Sequence, residues 1–138
     1  MPFLAALVDD AEGLTNFVLE ANKFRKESLP SGGTRDVLHF KAFMPDRGGE
    51  RSVFRMDGLA KSVIAELGRV FVGLQRDKPV LGWGQISAEI VRRTAPLHVR
   101  ADEPPPRHAV IDAWPSDIER SRALAMDLAS QAAATKLP

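Results

Sequence analysis

The chain has 138 residues, 44% of them hydrophobic and 27% charged, and it contains no cysteine, which excludes disulfides and thiolate metal sites. Its 19 basic and 18 acidic side chains give a net charge of +1, so it lacks the strong basic excess typical of nucleic-acid-binding proteins, although a local basic patch is compatible with this total. The longest apolar run, residues 3–8, is shorter than a membrane span of about 20 residues, and two aspartates follow it where a signal peptide would continue its apolar core. We therefore expect one soluble, cytoplasmic domain.

Apolar side chains at helical spacing mark the N-terminal part of the chain. They fall into two sets on either side of Gly13: Phe3, Leu4, Leu7 and Val8, then Leu14, Phe17 and Val18. This spacing predicts a helical segment over residues 2–29, with a strand over residues 15–24 as the alternative. The turn-forming residues 29–34 end the segment.

Two alternating runs separated by a Gly-Gly turn mark residues 37–56, and this pattern predicts a β-hairpin with its turn at 45–50. The period of two along a strand places one set of side chains on the core: Leu38, Phe40, Ala42, Phe54 and Met56. It places a polar set on the opposite face: His39, Lys41, Arg51 and Arg55.

A helix is predicted over residues 57–67, because Asp57 is a good N-cap and apolar residues follow at helical spacing. Gly68 is placed to end this helix in a left-handed conformation. Residues 70–74 fit either a strand or a continuation of the helix, and the glycines at 68 and 73 count against a long helix.

The middle of the chain alternates between short elements. Residues 80–86 have the composition of a strand, in which Gly82 and Gly84 indicate a bulge or the close approach of another backbone. The remaining elements are a short helix at 87–93 capped by Ser87, a strand at 97–100, a proline-rich connector at 102–107 and a strand at 108–114.

The C-terminal helix has the clearest start signal, since Ser116 and Glu119 form a capping box before an apolar stripe over residues 118–132. Residues 135–138 are expected to fray. Together these elements predict an α+β fold, with a mainly antiparallel sheet of four to six strands packed against two or three helices. We expect a single globular domain over 1–138, with its core in residues 36–132.

No phosphate loop, dinucleotide fingerprint, nucleophile elbow or metalloprotease motif occurs in the sequence. The first hypothesis for function is therefore a small non-catalytic binding or regulatory module that acts as an accessory to a larger protein partner, without metal or cofactor. Its candidate binding residues are Lys41, Trp83 and Asp112. Trp83 stands between two glycines, which would expose its ring for stacking, although packing in the core is the favoured alternative.

The alternative hypothesis is a phosphodiester-handling enzyme of the ribonuclease-toxin type. It would use His39 and His108 together with Arg51 and Arg55, if their strands belong to one sheet and their side chains converge. An imidazole surrounded by cations has a lowered pKa and serves as a general base, while arginine binds phosphate in a bidentate manner. The competing interpretation is that these are ordinary polar residues on a solvated sheet face.

Overall fold

A computed structural model describes residues 7–138. Its strands are β1 Gly13–Val18, β2 Phe24–Ser28, β3 Thr34–Leu38, β4 Arg51–Arg55, β5 Gly82–Ser87, β6 His98–Ala101, β7 His108–Asp112 and β8 Ala133–Lys136. Its helices are α1 Lys61–Gly68, α2 Leu74–Arg76, α3 Ala88–Arg93 and α4 Ile118–Gln131, and a π-helical turn, Arg69–Gly73, joins α1 to α2.

Six strands form an antiparallel sheet in the order β6-β7-β4-β1-β5-β8, and β2 and β3 form a separate two-stranded sheet. The predicted α+β class is therefore confirmed, and the main sheet has the upper number of strands that was expected.

Each face of the main sheet is covered by its own hydrophobic core. The first core lies between the sheet and helices α3 and α4, and it includes Leu14, Val53 and Leu128. The second core lies under α1 and the π-helical turn, and it includes Phe54 and Trp83. Because both faces are buried, the central strands carry apolar residues on both sides.

The sheet is incomplete between its two central strands. β1 pairs with β5 along its whole length, from Gly13 to Val18. Its pairing with β4 covers only Leu14 opposite Arg55 and Thr15 opposite Phe54. Beyond these two pairs β1 and β4 diverge, and β4 continues its pairing with β7 alone. We call this opening the fork.

The open end of the fork is held by one backbone carbonyl. The oxygen of Ala42 accepts a hydrogen bond from Asn16 Nδ2 at 2.6 Å and another from Arg51 Nη1 at 3.3 Å. Asn16 lies on β1 and Arg51 on β4, so side chains replace the missing backbone pairs at this end. The short 3-10 turn Phe40–Ala42 that presents this carbonyl is thereby fixed over the fork.

The closed end of the fork is held by an ion pair. The guanidinium of Arg55 is 3% exposed, and its Nε and Nη2 donate to the two carboxylate oxygens of Glu12 at 2.8 and 2.9 Å. This bidentate geometry is the strong form of an arginine–carboxylate contact. The hydrogen bond from Arg55 lowers the pKa of Glu12, against the opposing effect of burial.

The predicted helix over residues 2–29 is wrong where the structure describes it, and its first five residues lie outside the described part. Residues 13–18 form β1 and residues 24–28 form β2, so the strand alternative was closer. β1 is buried on both sides, with Leu14 and Val18 in the first core and Phe17 packed against the second. Burial on both faces removes the alternation of apolar and polar residues that identifies a half-buried strand.

The predicted hairpin over residues 37–56 is also wrong. β3 pairs with β2 across the turn at 29–33, and β4 belongs to the other sheet. Two cross-strand ion pairs favour the observed partner, one between Lys26 and Asp36 and one between Glu27 and Arg35. Of the two predicted strands only the second is observed, as β4, because β3 ends at Leu38 and residues 40–42 form a 3-10 turn. Alternation also carries no information about which strands pair.

The helix predicted over 57–67 begins later and extends further than expected. Its N-cap is Ala60, and Gly68 keeps a right-handed conformation with φ −61°, so the helix passes through the π-helical turn into α2. A Cβ on Gly68 would overlap the ring of Phe17, which explains why glycine stands there without ending the helix. The left-handed residue that does end the helix is Asp77, with φ 52°.

The predictions for the second half of the chain are mostly confirmed. Ser87 caps α3 by accepting a hydrogen bond from the backbone N–H of Ile90. In α4 the cap is Asp117 rather than Ser116, and Ile118 at the start of the predicted stripe is exposed. The expected fraying at 135–138 is wrong for residues 135–136, because β8 pairs with β5 there.

The close approach of another backbone, predicted for Gly82 and Gly84, is confirmed for Gly82, whereas at Gly84 a side chain approaches instead. A Cβ on Gly82 would overlap the carbonyl oxygen of Thr135, and a Cβ on Gly84 would overlap the side chain of Leu38. The first contact is with backbone of the neighbouring strand, which cannot move without breaking the pairing of β5 and β8. The second is with the end of a flexible side chain.

We predict that Gly82→Ala lowers the free energy of unfolding by about 2 to 3 kcal/mol and Gly84→Ala by about 1 kcal/mol, since overpacking in cores costs 1–3 kcal/mol. Urea unfolding measures both. Gly48→Ala, in an exposed turn, is the control and should change stability little. Equal stability of all three variants would contradict the close approach.

We predict that Glu12→Gln destabilises the protein by about 3 kcal/mol at neutral pH, because it leaves the buried guanidinium of Arg55 without its counter-charge. The lowered pKa of Glu12 means that this stabilisation is present above its ordinary pKa of 4.5 and is lost as pH falls through the folded-state value. The difference in stability between wild type and variant should therefore shrink below pH 4.5.

The control is Glu66→Gln, which breaks an exposed pair with Arg69 and should change stability little at any pH. A difference between wild type and Glu12→Gln that does not depend on pH would show that the carboxylate charge is not what stabilises this end of the fork.

Candidate functional site

The open end of the fork forms a cleft of about 320 Å³. The cleft extends from β1 and β4 to the C-terminal part of the continuous helix that α1, the π-helical turn and α2 form together. Pro105 also lines it. Its lining brings together three kinds of side chain that are separated in sequence: cations, a wall of aromatic rings, and a group of neutral polar residues with His108.

Arg51 is the central cation of the cleft. Its Nη1 donates to the carbonyl oxygens of Ala42 and Met44, both at 3.3 Å, while its Nε is buried without a hydrogen-bond partner. No carboxylate in residues 7–138 forms a salt bridge with it. Burial lowers the pKa of Arg51, the charge of Asp46 opposes this, and repulsion from Arg76 adds to it. The guanidinium therefore has no ion-pair partner within residues 7–138, and Asp46 acts on it only at longer range.

Two more cations line the cleft, Arg76 from α2 and Lys23 from the short turn before β2. Within the described part of the chain neither of them forms a salt bridge. The acidic residue in the lining is Glu20, which is exposed to solvent. Three cations against one carboxylate leave the cleft positively charged.

The apolar wall of the cleft is built from phenylalanines. The rings of Phe54 and Phe71 stack with centroids 5.7 Å apart and an interplanar angle of 12°. Phe17 packs against Phe54 at the same centroid distance. Phe54 is buried, while Phe17 and Phe71 are partly exposed, so part of this wall faces the cleft.

His108 lies beside this wall, with its ring centroid 5.2 Å from that of Phe54. Its Nδ1 lies 2.9 Å from the carbonyl oxygen of Asp102, and 3.3 Å from Oδ2 of the same residue. A carbonyl oxygen only accepts hydrogen bonds, so Nδ1 is the donor in this contact. In a neutral imidazole, Nε2 is then left as an acceptor.

The structure brings together two of the four residues in the enzyme hypothesis, Arg51 and His108. They lie on opposite faces of the sheet, because Arg51 pairs with Ile111 of the first core and His108 pairs with Phe54 of the second. They line one cleft because the fork leaves no strand between the two faces at this point. Arg51 and His108 therefore belong to one sheet, as the enzyme hypothesis requires, but they line the cleft from opposite faces of it.

The other two residues of that hypothesis do not line the cleft. Arg55 lies at the closed end of the fork and is engaged by Glu12. His39 precedes the 3-10 turn, where its Nδ1 accepts a hydrogen bond from the backbone N–H of Lys41. Its pKa is lowered, first by burial and then by the charges of Lys41, Arg25 and Lys23.

The candidate binding residues of the accessory hypothesis have separate environments. Trp83 is 2% exposed and packs at the edge of Phe17, so the alternative of core packing holds for it. Asp112 forms a salt bridge with Arg100, and Lys41 is exposed beside His39.

Sequence reasoning missed Asn16, Lys23, Gln75 and Arg76 as lining residues. Lys23, Gln75 and Arg76 come from segments that share no sequence motif, so the sequence pattern gives no reason to group them. Asn16 had a visible signal, since it is a polar residue within the apolar run of β1 and is 3% exposed. A buried amide in a central strand needs a hydrogen-bond partner, which indicates a special local structure.

Within residues 7–138, no three histidine, aspartate or glutamate side chains are arranged to hold a metal ion. The same part of the chain contains no helix that is long and apolar enough to cross a membrane.

No protein-family model matches the chain, and no curated protein and no solved structure matches it significantly. The functional interpretation therefore depends on the geometry and charge of the cleft.

Proposed function

We propose that this protein is a non-catalytic binding module for a phosphorylated ligand that carries a flat ring, of the nucleotide type. The observation that carries the proposal is Arg51, a partly buried guanidinium in a cleft with no carboxylate partner in the described chain. A binding role is also what the sequence led us to expect, but the proposed ligand is a small anion and not a larger protein.

The guanidinium of Arg51 is well suited to an oxyanion. Arginine has five N–H donors in a planar fork that matches phosphate and carboxylate oxygens. Ala42 and Met44 accept from Nη1 alone, and among the described residues Nη2 makes no hydrogen bond. Since the desolvated charge is costly without a partner, binding an anion would recover part of that cost.

The phenylalanine wall favours a ligand with an aromatic part. Phe17 and Phe71 present apolar surface within the same cleft that holds the cations. A nucleobase packed against such a wall gains dispersion and burial energy, while the phosphate stays at the guanidinium. The volume of about 320 Å³ lies at the small end of the range for ligand sites, which suits one nucleotide.

The lining of the cleft supports binding rather than the two-histidine enzyme. Of the predicted pair of histidines, His108 lines it and His39 does not. Cleavage of a phosphodiester needs one group to remove a proton and another to supply one to the leaving oxygen. With Nδ1 donating to Asp102, Nε2 of a neutral His108 would instead accept a hydrogen bond from a hydroxyl group of the ligand.

We predict that Arg51→Met weakens the binding of uridine 5′-monophosphate by at least about tenfold, because hydrogen bonds to charged groups contribute 1.5–3 kcal/mol. Titration calorimetry measures the affinity, with inorganic phosphate as a second probe that lacks the ring. The nucleotide should bind more tightly than phosphate, because only the nucleotide contacts the wall.

Arg51 also holds the fork, so a second variant separates binding from folding. Arg76→Ala removes an exposed side chain and should weaken nucleotide binding several-fold without lowering the melting temperature. Arg93→Ala, on the exposed end of α3, is the matched control and should bind as wild type does. Unchanged affinity in both cleft variants, or no binding of either probe to the wild type, would refute the proposal.

A further inference from the structure

Two further cations, Arg25 and Lys41, are exposed and lie outside the cleft lining. The pKa of His39 is lowered first by burial and then by the charges of Lys41, Arg25 and Lys23. Lys23 lies in the short turn before β2 and Arg25 in β2, while His39 and Lys41 lie at the 3-10 turn before β4, and the backbone hydrogen bond from His39 N–H to the Lys23 carbonyl oxygen joins the two segments. We call Lys23, Arg25, Lys41 and His39 the basic band.

The cations of the basic band differ from those of the adjoining small sheet in their ion pairing. Further along the same small sheet, Lys26 pairs with Asp36 and Arg35 pairs with Glu27. Among residues 7–138, no such pair is formed by Lys23, Arg25 or Lys41. The two-stranded sheet is therefore neutralised toward its tip and positively charged toward the cleft.

Lys23 belongs to both the basic band and the cleft lining. Lys23 therefore connects Arg51 and Arg76 of the cleft with Arg25, two residues further along the chain, and with the turn that carries Lys41, through the hydrogen bond from His39. We propose that these cations together bind single-stranded nucleic acid, with one nucleotide in the cleft and the adjacent phosphates along the basic band. This inference rests on the proposed function, since the cleft must accept a nucleotide.

The shape of the cleft favours a single strand. A base reaches the phenylalanine wall only when it is unstacked and unpaired, which a duplex does not provide without cost. A charged track beside a stacking surface is the usual arrangement in proteins that bind single strands. The ring of His39, half-buried and 4.5 Å from Phe40, adds a flat surface along the track.

The test compares a mononucleotide with an oligonucleotide on the full chain. The probes are uridine 5′-monophosphate and a fluorescein-labelled oligouridylate of roughly ten nucleotides, which is within the usual site size of such proteins. The variant is Arg25→Ala with Lys41→Ala. Both side chains are exposed, so the fold should persist, and thermal unfolding checks this.

We expect the double variant to bind the oligonucleotide at least about tenfold more weakly and to bind the mononucleotide as wild type does. Each phosphate contact to a single strand contributes about 0.7 to the slope of log affinity against log salt concentration. The loss of two contacts should therefore lower that slope by about 1.4. Anisotropy titrations at several salt concentrations measure both quantities.

Lys61→Ala with Arg93→Ala is the matched control, because it removes the same two residue types from exposed sites outside the band and the cleft. It should leave the affinity and the salt slope unchanged. If the band variant keeps wild-type affinity for the oligonucleotide while mononucleotide binding persists, the inference is wrong and the proposed function stands. If the wild type binds no mononucleotide, the proposed function itself fails.

A polyanion control separates nucleic acid from other charged partners. Polyglutamate of matched length carries the charge without the bases, and it should compete weakly for the wild-type protein. Competition equal to that of the unlabelled oligonucleotide would overturn the inference, because it would show that the surface binds any polyanion.

Discussion

The pairing of β1 with β4 over only two residues is the constraint on which the rest of the structure depends. Backbone hydrogen bonds close the fork at one end, and at the other end the strands must be connected by side chains. Asn16 and Arg51 do this by sharing the Ala42 carbonyl oxygen. The opening gives one cleft access to both faces of the sheet, which a fully paired sheet would separate.

Arg51 and Arg55 show how position along one strand decides what an arginine does. They are four residues apart on β4 and point to the same face, yet Arg55 has a bidentate carboxylate partner and Arg51 has backbone carbonyls. Removing one partner of a buried ion pair is strongly destabilising, whereas a buried charge without an ion-pair partner carries a cost that a bound anion would offset. The contrast within one strand is the reason for proposing a binding role for Arg51, and the cations of the adjacent basic band are the reason for proposing a longer ligand.

The sequence predicted some elements well because their signals are local. Ser87 as a cap depends on the backbone three residues ahead, and a glycine within a strand is visible in the sequence whatever approaches it. The structure confirms the cap and the close backbone approach at Gly82. The hairpin failed because alternation does not specify a partner, and the N-terminal helix failed because burial on two faces gives β1 apolar residues on both sides. For the site, Arg51 and His108 were identified as candidates, while Arg76 and Lys23 lie in segments without any shared pattern.

By itself, therefore, the sequence determined the α+β class, the absence of cysteine chemistry, and which segments in most of the second half of the chain are helices or strands. Composition and short-range periodicity encode these properties. Only the tertiary structure decided which strands pair, where the sheet opens, and which cations keep their charge uncompensated. Those properties depend on contacts between segments far apart in the chain, such as Glu12 with Arg55 or Asn16 with Ala42. No local pattern specifies such contacts, because the same side chain can be neutralised or left free according to what packs beside it.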